Sequence, residues 1–132
     1  VPLLVEPEPD LLIETADQYL EFARHISSPY LGLNFDIGHF YCVSDDPAAT
    51  VKRLGKLIRH VHLEDIAPTR VHHHLIPGEG AIDFGSTLKA LKEIGYQDWV
   101  TIELYTCHEN PDHAAKVARE RVLKIAKDAG VE

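Results

Sequence analysis

The 132-residue sequence has no methionine, only two cysteines and one tryptophan, and it is short of positive charge, with 13 Lys and Arg against 21 Asp and Glu. Each shortage closes off a class of protein. Cys42 and Cys107 lie far apart with no Cys-x-x-Cys spacing, so neither a disulfide framework nor a thiolate zinc site is expected; two buried reduced thiols suffice. A formal net charge of -8 leaves no basic surface large enough to hold a phosphate backbone by counterion release, which disfavours nucleic acid as a partner. No apolar run approaches the roughly 20 residues that span a bilayer, and the first residues lack the basic-then-apolar order of a signal peptide, so a cytoplasmic protein without membrane contact is expected. No linker or low-complexity segment divides the chain, and residues 1–132 read as one domain. The opening "VPLLVEP" has the character of a strand interior rather than a leader, so the domain reads as a piece of something longer.

What is present is the composition of a soluble globular protein, 45% hydrophobic and 26% charged. Four short apolar segments recur: "PLLVEP" at 2–7, "LGLNFDIGH" at 31–39, "IRHVHLED" at 58–65 and "WVTIELY" at 99–105. Turn residues bound them and β-branched or aromatic residues fill them, which predicts strands. Helical spacing follows each one. Ile13, Ala16, Leu20 and Ala23 make an apolar stripe over 13–26; Asp46 and Pro47 start a second helix; "STLKALKEI" at 86–94 makes a third, closed by Gly95; Asn110-Pro111 opens a fourth that runs almost to Gly130. Four βα units imply a parallel sheet with helices outside it. A doubly wound nucleotide-binding sheet would carry a Gly-rich turn after its first strand, but that turn is "EPEPD". The remaining solution is a parallel (β/α) barrel of the TIM type, whose functional side chains sit at the carboxyl ends of the strands.

The strand ends bear this out as a pattern: Glu6, then Asp36 with His39 three further on, then His62, then Glu103. Each is a hard or borderline ligand, and three carboxylates with one imidazole suit Mn²⁺, Mg²⁺, Co²⁺ or Zn²⁺ rather than a soft metal. Singly, each has an ordinary explanation as a sheet-capping acid or a hydrogen-bonded histidine; in register they predict a divalent-metal site. His60 and His62, two apart on a strand, share a face with Glu64 after them, and His60 is expected deeper as a polar layer residue.

The motifs "VEPEP", "DIGH", "HVHLED", "GEGAIDF" and "IELY" together resemble the C-terminal half of the xylose isomerase-like (β/α)₈ barrel superfamily, over essentially the whole chain. That superfamily contains sugar isomerases and epimerases and also endonuclease-IV-like enzymes of the AP endonuclease family 2 type. The resemblance implies that Glu6, Asp36, His62 and Glu103 bind the metal. It implies that His39 touches substrate or a second metal, and that Glu6 and Glu103 double as acid and base. The reaction implied is isomerisation or epimerisation of a sugar, sugar phosphate or polyol, by proton transfer through a metal-stabilised enediolate. The epimerases also carry an Arg between the metal His and the Gly-x-Gly turn, which makes Arg70 a substrate-binding candidate. In the endonuclease-like branch the loop before that turn supplies an Asp-x-His pair to further metals, and His72 and His74 stand at those two positions. The loop "VHHHLIPGEG" therefore has two readings, a second metal site with His39 or a solvated mobile loop. The Gly-Glu-Gly turn is a weak signal for phosphate held on backbone N–H groups.

Two alternatives to the isomerase stand: a multi-metal phosphodiester hydrolase, and a metal-binding barrel without activity. The acidic loop residues Glu8, Asp10, Glu64, Asp65, Glu79 and Asp83 count against a polyanionic substrate. Because eight strands typically need about 250 residues, four units imply either a fragment or a homodimer that completes the barrel. An isolated four-strand sheet is expected to expose two edges and one apolar face.

Overall fold

Parallel pairing of the four apolar segments organises the fold. The computed structural model describes residues 1–131, in which strands β1 (Leu3–Val5), β2 (Leu31–Asp36), β3 (Ile58–Leu63) and β4 (Val100–Ile102) form one sheet in that order, every pair parallel. The crossovers are helical: α1 (Ala16–Ala23), α2 (Ile37–Cys42) followed by α3 (Pro47–Leu54), and α4 (Phe84–Glu93), with α5 (Pro111–Asp128) after the last strand.

The helix ends follow the capping chemistry. Thr15 and Gln18 form a reciprocal capping box on α1, Asp46 accepts from the Ala49 N–H ahead of Pro47, and Asn110 accepts from the His113 N–H ahead of Pro111. The third predicted helix starts two residues earlier than expected, because Asp83 caps it by accepting from the Ser86 N–H. The first is shorter than 13–26, beginning only at its cap.

The strands are also shorter than the apolar segments. β1 and β4 are edge strands of three residues each, so Glu6 and Glu103 lie just past their ends. The largest difference is in "LGLNFDIGH". The strand stops at Asp36, whose Oδ1 accepts the His39 N–H at 2.7 Å and so caps α2; His39 is a helical residue, not part of the strand.

Alternation in the two central strands sends Leu33, Phe35, Val61 and Leu63 towards the helices, where they are fully buried against residues such as Tyr19, Val51, Leu54 and Leu91. Phe35 and Phe40 stack with ring centroids 4.7 Å apart. The opposite face is not the apolar surface expected. Around Leu4 and Gly32 it carries Asn34, Asp36, Arg59, His60, His62 and Thr101, with the Thr101 hydroxyl 3.0 Å from His60 Nε2. In a closed barrel this face is the interior, and polar groups there can satisfy one another. The edges are open as expected: Leu3 on β1 is 70% exposed and Trp99 beside β4 is 82% exposed.

Candidate functional site

The carboxyl ends of the strands gather two adjoining clusters. In the first, one ligand atom from each of Glu6, Asp36, His62 and Glu103 lies within 4.8 Å of all the others. His62 Nδ1 is the hub, 3.0 Å from Glu6 Oε1, 3.6 Å from Glu103 Oε2 and 3.9 Å from Asp36 Oδ2. Asp36 is fully buried; its Oδ1 is spent on the helix cap, while Oδ2 has no hydrogen-bond partner among the described residues. An ionised carboxylate oxygen left bare in the interior costs several kcal/mol unless a cation compensates. That orphaned oxygen and the three-carboxylate, one-imidazole donor set fit a hard divalent cation.

The electrostatics point the same way. The hydrogen bond that its Nδ1–H donates to Glu6 Oε1 holds the His62 imidazole above its usual 6.5, and the neighbouring acids add to it. Burial works to raise Glu6, but the His62 bond and charge outweigh it and leave its carboxyl lowered. Burial raises Glu103, with Asp36 and Glu6 adding repulsion. A single proton on His62 thus partly neutralises three acids, the work that a divalent cation would do more fully.

The second cluster is His39, His72 and His74, again with ligand atoms within 4.8 Å. His39 Nδ1 lies 3.0 Å from the Pro7 carbonyl and His74 Nδ1 3.0 Å from the Glu103 carbonyl. A carbonyl only accepts, so in both rings Nδ1 carries the hydrogen and Nε2 keeps its lone pair. His74 Nε2 is 3.1 Å from His72 Nε2, and the His39 and His72 rings meet edge to face at 4.6 Å. Burial lowers His72 and pushes His74 down to about 4.

The histidine loop is packed at His74, while Val71 and His73 face solvent. His74 is 1% exposed, Tyr105 packs on its ring at 4.3 Å, and Asp65 and Leu75 exchange two backbone hydrogen bonds of 2.9 and 2.8 Å. Asp65 secures the rest. Its Oδ2 accepts from the N–H groups of Gly78 and Gly80 at 2.8 Å each, and its Oδ1 from those of Ile66 and Ile82. The Gly78 and Gly80 amides are thus consumed by Asp65 and that of Glu79 by the Ile76 carbonyl, which corrects the idea that the turn receives a phosphate. Gly80 is required because a Cβ would strike the Asp65 carboxylate and the Ile66 carbonyl.

Arg70 is not in either cluster. It adopts φ +60°, donates to the Tyr41 carbonyl and stacks its guanidinium over the Tyr41 ring at 4.3 Å. His60 sits one layer below His62, their rings 5.2 Å apart, as expected of a polar layer residue. Cys42 and Cys107 are free and half-buried rather than fully buried.

Two residues counted only as loop acids belong to the site region: Glu64 is 0% exposed and Asp65 1%. Their burial depends on the loop folding back over the strand end, which no local pattern encodes. The one available signal was the period of two that puts Glu64 on the face of His60 and His62.

The fold and site together define a parallel βα protein with its ionisable groups massed at the carboxyl ends of its strands. The chain belongs to the xylose isomerase-like TIM barrel family, whose description it matches over residues 1–126. It is 30% identical over 129 residues to an inosose isomerase of Bacillus licheniformis, covering 94% of this chain and 45% of that protein. Among solved structures it resembles an IolI protein with a bound zinc atom (TM-score 0.82, 26% identity, 98% of this chain and 50% of that one). It also resembles an L-ribulose 3-epimerase (TM-score 0.81, 25% identity, 98% and 48%). The chain spans about half the length of the relatives it matches.

Proposed function

We propose that this chain carries the metal-binding half of an isomerase or epimerase that acts on a sugar, polyol or sugar phosphate. The observation that supports it most is the convergence of Glu6, Asp36, His62 and Glu103 from four consecutive strand ends. Relatives named as an inosose isomerase and an L-ribulose 3-epimerase support the same class. A divalent cation held by those four residues would supply the positive charge that favours an enediolate, formed when a proton leaves carbon beside a carbonyl.

The residues divide the remaining work. Glu6 follows β1 and Glu103 follows β4, the two edges of the sheet, so they flank the cluster from opposite sides. One carboxylate takes the carbon-bound proton and the other returns it, with epimerisation when the return is on the opposite face. Asp36 is held rigidly by its bond to the His39 N–H. His39, with Nδ1 fixed on Pro7, offers Nε2 to a substrate hydroxyl or to a second cation.

We propose also that the four βα units are half of an eight-strand barrel, closed by further chain or by a second copy; the polar sheet face and open edges support this. Molecular mass in solution distinguishes the two.

The test is solvent exchange. The intact protein, loaded with Mn²⁺ and given a panel of ketoses and inososes in D₂O, should place deuterium at the carbon beside the carbonyl, detected by NMR, and Glu103→Gln should slow it by about 100-fold or more. Metal binding with no exchange on any compound would reject the isomerase and favour a metal-binding domain without turnover. The His39, His72 and His74 cluster favours a second reading, a multi-metal phosphodiester hydrolase. Turnover of a bis-aryl phosphate without exchange on sugars would establish it.

A further inference from the structure

Beneath the carboxylate cluster lies a carboxamide to which the proposed chemistry gives no role. Asn34 stands on β2 two residues before Asp36, so both side chains belong to the polar face of the sheet, and it is paired with His60 on β3 as Asp36 is with His62. It is 8% exposed. Its Nδ2 lies 3.3 Å from Nδ1 and 3.4 Å from Nε2 of His62, while its buried Oδ1 has no hydrogen-bond partner among the described residues.

The ring that Asn34 touches must carry its hydrogen on one nitrogen or the other. His62 Nδ1 faces the three acids and lies 3.0 Å from Glu6 Oε1, so in the neutral, metal-free ring Nδ1–H donates to Glu6 and Asn34 Nδ2 donates to a bare Nε2. A cation in the carboxylate cluster needs the Nδ1 lone pair, and the ring hydrogen must then sit on Nε2. That N–H would meet Nδ2 donor to donor. A half-turn of the carboxamide exchanges its nitrogen for its oxygen with almost no change of shape, brings the unpartnered Oδ1 to Nε2 and gives the N–H an acceptor. His60 offers no substitute: its ring meets that of His62 edge to face at 5.2 Å, and its Nε2 lies 3.0 Å from the Thr101 hydroxyl.

We propose that Asn34 is a positioning residue for His62: its carboxamide turns to accept the Nε2–H and so commits Nδ1 to the cation. This rests on the reading of Glu6, Asp36, His62 and Glu103 as a cation site. Asparagine suits the place because it answers either form of the ring. Aspartate could only accept, and leucine, of similar size, could do neither.

The experiment measures Zn²⁺ binding by equilibrium dialysis to intact, metal-stripped wild type, Asn34→Leu and Asn34→Asp, and records the ¹⁵N and ¹H resonances of the His62 ring in the Zn²⁺-saturated proteins. Wild type should show Nε2–H as a slowly exchanging, hydrogen-bonded signal. Asn34→Leu should bind Zn²⁺ about 10- to 100-fold more weakly, the usual loss when a ligand's supporting hydrogen bond is removed, and should lose that signal to solvent exchange. Asn34→Asp, which still accepts, should keep it; its loss there would contradict the proposal. A lower melting temperature for Asn34→Leu, with Zn²⁺ affinity and the Nε2–H signal both unchanged, would reduce Asn34 to packing and overturn its role. A wild-type ring that binds Zn²⁺ through Nε2 and keeps its hydrogen on Nδ1 would overturn it equally. Wild type that binds no Zn²⁺ would instead reject the cation reading of the four residues, and this proposal with it.

Discussion

The two clusters at the mouth of the sheet share a wall and are built from opposite chemistry. Glu6, Asp36, His62 and Glu103 place three acids around one imidazole, partly open to solvent, and the ring responds by holding its proton more tightly. His39, His72 and His74 place three imidazoles together with His74 sealed in, and burial drives the proton off. The first cluster favours the protonated ring. In the second, burial lowers His72 and His74, and their Nε2 atoms face each other at 3.1 Å.

The sharpest way to break this contrast is through turnover. Glu103→Gln should lower kcat for the proton transfer by about 100- to 10,000-fold, the usual worth of a positioned acid or base. His72→Ala/His74→Ala should cost far less; an equal loss in steady-state assays would mean that the two clusters act as one catalytic unit.

The next effect separates their supports. Asp65 holds the histidine loop through four backbone N–H groups but touches none of the carboxylate cluster. Asp65→Ala should cost about 3 kcal/mol in denaturant unfolding, because it strands buried donors. It should weaken ion binding at the histidine pocket while sparing the first site.

Acid and base should then move the two in opposite senses in the metal-free protein. His62 is raised above 6.5, so the stability it contributes is complete below 6.5 and is lost as pH rises through its folded value. His74 is lowered to about 4, so the folded state loses stability as pH falls from 6.5 towards 4, where the unfolded chain binds the proton more readily. Ring-proton NMR titrations should show His62 titrating above 6.5 and His74 silent until about 4; coincident titrations would erase the distinction. The smallest effect belongs to Arg70→Ala. Its guanidinium stacks on Tyr41 at the surface, so unfolding free energy should fall by less than about 1 kcal/mol, with ion binding at both clusters retained.

Most of the helix and strand positions follow from period and punctuation. Asp46-Pro47 and Asn110-Pro111 mark helix starts because a side-chain acceptor and a fixed φ suit the first turn whatever the rest of the fold does. The four strand-end residues were equally legible, since parallel strands that share a direction deliver their terminal side chains to one rim. The turn inside "DIGH" was not legible, because whether Asp36 continues a strand or caps a helix depends on what occupies the space beside Gly38.

By itself the sequence determined the alternation of strands and helices, the rim at which the candidate ligands gather, and the oxygen-rich character of the first cluster; each rests on local propensity or residue type. Only the tertiary structure decided that His74 of the histidine loop is sealed in while Val71 and His73 face solvent. It likewise decided that Asp65 consumes the Gly78 and Gly80 amides, that the open sheet face is polar, and that Glu64 is fully buried. Those outcomes turn on which groups lose contact with water when distant segments meet, and desolvation is a property of the assembled neighbourhood rather than of any stretch of chain.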